Sequence, residues 1–126
     1  MAVSMLERTD EYMMLTVKIP FGSSMMESEE TIQTVLNEAG TVGSGEALKQ
    51  FDTDGSPIEI NGHNWTSKGA LAKTYQTPYG AVSVSRHVYQ SSAGGETYCP
   101  LEVDGRIIVT STPHFAKQIA HTAIIA

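Results

Sequence analysis

Between Lys73 and Glu102 the sequence KTYQTPYGAVSVSRHVYQSSAGGETYCPLE confines the chain to a narrow set of folds. Apolar residues recur there at every second position, the period of a half-buried β-strand. Pro78-Tyr79-Gly80 predicts a reversal between a strand over Lys73–Thr77 and a longer one over Ala81–Gln90. Val82, Val84 and Val88 share one face of the longer strand, and Ser83, Ser85, His87 and Tyr89 share the other. Arg86 interrupts the valine face, so it is expected where that face opens to solvent or meets an anion. Ser91–Gly95 predicts a further turn, Thr97–Leu101 a return strand with Pro100 at a sheet edge, and Arg106–Val109 a short strand after an Asp104-Gly105 turn.

The flanks add helices to this sheet. Met1–Glu11 reads as a polar lead-in. Met13–Phe21 alternates as a strand that Pro20 brings to an edge or an end. Ser24 and Glu27 have the spacing of a capping box, and Ile32, Val35, Leu36 and Ala39 follow at helical intervals. Glu27, Glu29 and Glu30 suit the positive end of that helix, and Gly40 predicts its stop. A second helix is expected over Gly45–Phe51, with Ala47, Leu48 and Phe51 on one face. The pairs Met13/Met14 and Met25/Met26 read as adaptable core filler. Asp52–Pro57 is a turn, Ile58 and Ile60 a short strand, Asn61-Gly62 a type I′ hairpin, His63–Trp65 the return strand and Thr66–Ala72 a loop. The last helix starts at Pro113 behind Ser111 or Thr112, with Phe115, Ile119 and Ala123 as its apolar stripe. It runs to Ala126 without a stop signal, which predicts a helix cut short. The fold class expected is therefore α+β: an antiparallel sheet of short hairpin strands with an N-terminal acidic helix and a truncated C-terminal helix, in a single domain spanning residues 1–126.

Charge narrows the function classes. The net charge of −6 argues against a chain that coats nucleic acid over its whole surface. Residues 1–63 carry three bases and eleven acids, a net −8, whereas residues 64–126 carry five bases and three acids, a net +2. Any nucleic-acid contact is thus expected in the second half. A single cysteine, no signal peptide pattern and no apolar run of membrane-spanning length predict a cytoplasmic protein with no membrane contact.

Candidate chemistry fails on spacing in most places. Asp52 and Asp54 lack the ligand positions of a calcium loop and read as turn formers. Cys99 with His87, His114 and His121 lacks the paired cysteines of structural zinc. Cys99 as a hydrolase nucleophile with His87 as its base lacks an oxyanion site and an orienting third group. Ser91–Gly95 lacks the spacing of a phosphate loop. Lys68, Lys73, Tyr75, Arg86, His87 and Tyr89 form a basic and aromatic set suited to phosphates and bases, or to an ordinary solvated sheet face.

An ordered series of motifs goes further. FDTDGSPI at Phe51–Ile58, WTSKG at Trp65–Gly69, KTYQTPYG at Lys73–Gly80 and RHVYQ at Arg86–Gln90 come first. GGETYCPLE at Gly94–Glu102, RII at Arg106–Ile108 and TPHFAKQ at Thr112–Gln118 complete it. Together they resemble the N-terminal region of bacterial insertion-sequence transposases of the ISKra group, over about Thr16 to His121. Ala81, Gly105 and the tail after Gln118 depart from the family pattern. The resemblance implies a role in DNA transposition, through binding of element-end DNA or through complex assembly with other transposase subunits. It implies that catalysis belongs to a downstream ribonuclease-H-like domain, absent here, whose acidic residues hold divalent metal. No catalytic or metal role is carried onto this chain, and no cofactor is expected in it. Lys68, Lys73, Arg86, His87, Arg106 and Lys117 are the candidate nucleic-acid contacts. The alternatives are a protein-interaction or oligomerisation module, or a decayed gene product without independent function.

Overall fold

The two-residue connection Pro78-Tyr79 sets the register of the whole sheet, because it pairs Thr77 directly with Gly80. In the computed structural model, which describes residues 2–92 and 94–125 (the side chains of 122–125 excepted), this hairpin joins two long strands. The fold is an α+β mix with antiparallel sheets. In chain order the elements are β1 (Val3–Arg8), β2 (Met13–Val17), α1 (Met25–Lys49), β3 (Ile58–Ile60), β4 (His63–Thr77), β5 (Gly80–Ser91), β6 (Thr97–Tyr98), α2 (Pro100–Asp104) and α3 (Pro113–Ile125). β3-β4-β5-β6 form one antiparallel sheet, and β1-β2 form a separate two-stranded ribbon.

Several expectations are corrected. The lead-in contains strand β1, which pairs with β2 from Val3↔Val17 to Arg8↔Met13, with a bulge between Met5 and Glu7. β2 ends at Val17, before Pro20. Thr66–Ala72 is not a loop but the middle of β4. A bulge between Ser67 and Ala70, with Gly69 at φ 111°, inserts one extra residue and disguises the alternation. Thr97–Leu101 is a strand only at Thr97–Tyr98, because Pro100 opens the short helix α2. Arg106–Val109 is a turn in which Arg106 and Val109 take positive φ (55° and 59°), held by reciprocal backbone bonds between Ile108 and Ser111. The Met pairs are largely surface: Met14, Met25 and Met26 are exposed.

The helix at Ser24 is a single 25-residue element, not two. The Ser24 hydroxyl accepts from the Glu27 N–H at 3.2 Å, as the capping box predicts. The reciprocal arm is displaced by one residue, since the Glu27 carboxylate accepts from the N–H and hydroxyl of Ser23. Gly40 does not end the helix; it lets the helix approach the hairpin. A Cβ at Gly40 would fall 2.1 Å from Cγ of Tyr79, and one at Gly45 would fall 3.0 Å from Val82. Both glycines mark where α1 crosses the β4–β5 hairpin.

The remaining turns follow their local chemistry. Asn61 and Gly62 both take positive φ (52° and 79°), as a type I′ hairpin requires. Gly94 and Gly95 are left-handed at the tip after β5, while Ala93 lies outside the described residues. Thr112 precedes Pro113 at the start of α3, but its buried hydroxyl has no hydrogen-bond partner among the described residues. Phe115 is half-buried and Ile119 half-exposed; the side chain of Ala123 and the terminal Ala126 lie outside the described residues. Leu48 of α1, Tyr75 of β4, Val84 of β5 and Leu101 of α2 make the core, with Val82, Cys99 and Ile107 packed against it.

Candidate functional site

Arg86 does meet an anion, and the anion is internal. From the Thr77↔Gly80 pair, the ladder places Leu71, Lys73 and Tyr75 opposite Arg86, Val84 and Val82 on one sheet face. α2 covers that face and brings in Glu102. Its Oε2 accepts from Lys73 Nζ at 2.8 Å and from the Tyr75 hydroxyl at 2.6 Å. Arg86 Nε donates to the Tyr75 oxygen at 2.9 Å, Arg86 Nη1 donates to the Leu71 carbonyl at 2.7 Å, and Nη2 lies 3.9 Å from Glu102 Oε2. Burial pushes the Glu102 carboxyl up, but the hydrogen bonds from Lys73 and Tyr75 outweigh it and hold the group below its ordinary value. Burial, with the bond to Glu102, pushes the Tyr75 hydroxyl well up, so it remains a proton donor.

The opposite face of β5 is held by the Asp52–Pro57 turn. Asp52 Oδ1 accepts from the His87 N–H at 3.0 Å, and its Oδ2 lies 3.1 Å from His87 Nδ1. The Tyr89 hydroxyl lies 2.6 Å from Thr53 Oγ1 and donates to the Ser56 carbonyl at 2.8 Å. Gly55, at φ 87°, passes so close to His87 that a Cβ would stand 3.0 Å from Nε2. Asp54 closes the turn by accepting from Ser56 N–H, and hydrogen bonding from the Ser56 side chain first, then from its N–H, holds the carboxyl below the ordinary value. Both aspartates therefore serve the turn, and among the described residues no group of three or more His, Cys, Asp or Glu converges as a metal site.

The six candidate nucleic-acid contacts do not gather into one surface. Lys73 and Arg86 are engaged with Glu102, and His87 with Asp52. Lys68 is exposed at the β4 bulge, Arg106 on the turn after α2 and Lys117 on α3. Gln76 bridges to Ser111 just ahead of α3, eight residues along β4 from Lys68, which is about 26 Å of strand. Tyr75 and Tyr89 are fully buried, so neither ring is open to a base. Cys99 precedes α2 and packs on the core, where burial raises its thiol. His87 stands on the other face of β5 from Val84, an odd offset that separates it from Cys99.

Sequence reasoning missed Glu102 as the centre of the buried network. The signal was present in the hairpin register, which sets Lys73 and Arg86 on one face one pair apart, an arrangement of like charges that calls for an anion. It also missed the apolar surface of the first third of the chain. Leu6, Met14, Phe21, Met25, Met26 and Leu36 are all exposed there, Phe21 at 95%. Arg8 ties the ribbon to α1 through Glu46, which Lys49 also contacts at 2.6 Å. A further apolar groove of ≈ 490 Å³ runs between α1 and the start of α3, past Leu48, Phe51, Tyr79 and Pro113. No helix among the described residues is long and apolar enough to cross a membrane. In comparisons with known proteins, no family model, curated protein or solved structure matches the chain.

Proposed function

We propose that this chain is a non-catalytic assembly module of a transposase-like protein, joining subunits through protein contacts. The observation that carries this reading is the exposed apolar surface of the β1–β2 ribbon and the first half of α1, set in the acidic half of the chain. So many large apolar side chains exposed along one third of the chain suit a contact surface, and their acidic setting disfavours DNA as the partner. The ordered motif series supports the transposase connection. Its members interlock in the fold: FDTDGSPI grips RHVYQ, and KTYQTPYG joins GGETYCPLE through Glu102.

The second reading is contact with element-end DNA, supported by the exposure of Lys68, Arg106 and Lys117. Fluorescence anisotropy with labelled element-end and scrambled duplexes, at low and physiological salt, separates the two. The assembly reading expects no preference for element ends and no binding tighter than about 1 μM, the limit of ordinary non-specific association. Tighter, salt-sensitive binding that prefers element ends overturns it in favour of DNA contact.

A further inference from the structure

The β1–β2 ribbon leaves one strand edge unguarded. Lys18 N–H donates to the Ala2 carbonyl at 2.7 Å and Thr9 N–H to the Tyr12 carbonyl at 2.9 Å, one bond at each end of the ladder. Both bonds turn the even-numbered residues of this strand toward β1. Met13, Leu15 and Val17 therefore aim their N–H and C=O groups away from β1. Among the described residues no hydrogen bond from outside the ribbon reaches those outward groups. Met13–Val17, MMLTV, holds no charge, proline or glycine that would block pairing there. The β1 edge is blocked, by the bulge between Met5 and Glu7 and by the charges of Glu7 and Arg8.

The β2 edge is complementary to itself. Antiparallel pairing about a two-fold axis at Leu15 sets Leu15 opposite its own copy and Met13 opposite Val17. Every outward donor then meets an outward acceptor, about six bonds in all. Met13 faces α1, since its Sδ lies 3.9 Å from where a Cβ at Gly43 would stand. Leu15 and Val17 share that face, so the Leu15–Leu15 and Met13–Val17 pairs extend its apolar layer. Val17 is 44% exposed and open to such a neighbour. The same register sets Lys18 opposite Tyr12, whose hydroxyl donates to Glu7 Oε2 at 2.9 Å and so holds a carboxylate beside the incoming ammonium. In-register parallel pairing would instead set Lys18 against Lys18. A two-stranded ribbon is marginal by itself, whereas four strands with an apolar face are not.

We propose that β2 pairs antiparallel with β2 of a second copy of this chain, about a two-fold axis at Leu15, to make a continuous four-stranded sheet β1-β2-β2-β1. The inference rests on the assembly reading and specifies its partner, its surface and its register. The contact is isologous, so it closes as a dimer and leaves only the two bulged β1 edges outside. Backbone pairing holds the strands together, and the central leucine pair fixes the register.

Sedimentation velocity and cross-linking across the axis test this. The wild-type chain is expected to gain mass with concentration and to stop at a dimer. Leu15→Lys and Leu15→Glu are each expected to weaken dimerisation at least about tenfold, a change equivalent to 1.4 kcal/mol, because like charges meet on the axis. An equal mixture of the two is expected to dimerise again, since opposite charges then face each other. Circular dichroism checks that both variants fold. Cross-linking needs no charge at this site: Cα atoms of a hydrogen-bonded antiparallel pair stand about 5.5 Å apart, within disulfide reach. With Cys99→Ala in the background, Leu15→Cys is expected to oxidise to a covalent dimer and Leu6→Cys, in the β1 bulge, to stay monomeric. A wild-type chain that remains monomeric at every concentration overturns the proposal, and the assembly reading then requires a different protein as partner. Wild-type association without the Leu15→Cys cross-link, or folded Leu15→Lys and Leu15→Glu chains that stay apart when mixed, overturns it too and leaves the assembly reading standing with another surface. DNA titration decides the assembly reading separately.

Discussion

Arg86 Nε donates to the Tyr75 hydroxyl oxygen at 2.9 Å, beneath the core and between two strands that a two-residue turn holds in register. The same hydroxyl donates to Glu102, so one oxygen links a buried guanidinium to a carboxylate from α2. Tyr75→Phe keeps the ring and removes that link, leaving Arg86 Nε and Glu102 each short of a partner. The expected loss is about 1–3 kcal/mol of unfolding free energy. Arg86→Leu should cost about 1–3 kcal/mol for each acceptor it strands, the Tyr75 oxygen and the Leu71 carbonyl, while Lys73 still pairs Glu102. Denaturant titration measures both, and a Tyr75→Phe chain as stable as wild type would remove the network from the account of the core.

The same carboxylate makes stability depend on pH. The folded-state value of Glu102 lies below its ordinary value, so its contribution is present above about pH 4.5 and is lost as pH falls through the depressed value. Glu46 adds to the slope with the same sign, its carboxyl held down chiefly by the hydrogen bond from Lys49. Denaturation midpoints measured from neutral to about pH 3 should fall more steeply for wild type than for Glu102→Gln.

Two glycines of α1 should respond to alanine in opposite directions. Alanine in a helix interior is ordinarily favoured over glycine by about 1 kcal/mol. At Gly43 the added Cβ meets only Met13 Sδ at 3.9 Å, so Gly43→Ala should stabilise by about 0.5–1 kcal/mol. At Gly40 it would collide with Cβ, Cγ and Cδ1 of Tyr79, the near end of that side chain, so Gly40→Ala should destabilise by about 1–3 kcal/mol. Thermal melts of the two variants, and of Gly40→Ala with Tyr79→Ala as the relieving partner, read the sign directly.

The Asp52–Pro57 turn is predicted to be a local unit of stability. Asp52→Ala removes the acceptor for the His87 N–H and for its ring. Amide exchange in residues 53–56 and at His87 should accelerate about tenfold or more, while the amides of Val82 and Val84 change little. Equal acceleration in both places would show that the turn and the hairpin open together.

Cys99 should react slowly with iodoacetamide at neutral pH and quickly in denaturant, because burial raises its thiol and the thiolate is the reactive form. Fast alkylation of the folded chain would revive a nucleophilic role for it.

Several parts of this fold were legible from neighbouring residues. The Asn61-Gly62 turn, the Pro78-Tyr79-Gly80 reversal (whose Gly80 proves to be the first residue of β5), the Ser24 cap and the face sharing of Val82 with Val84 are set by chemistry within a few positions. The DNA candidates were less so. Lys73, Arg86 and His87 are basic in sequence, but whether a base faces solvent depends on which distant acid packs over it.

The sequence by itself determined the α+β class, the places of the two hairpin reversals and the division of charge, since turn chemistry, side-chain alternation and formal charge are local properties. Only the tertiary structure decided that Gly40 continues a helix, that Thr66–Ala72 is a bulged strand, that Val3–Arg8 pairs with Met13–Val17 and that Glu102 joins Lys73, Tyr75 and Arg86. The reason is common to all four. A glycine, a bulge, a short polar strand and a buried charge each have two acceptable local states, and what packs against them selects one.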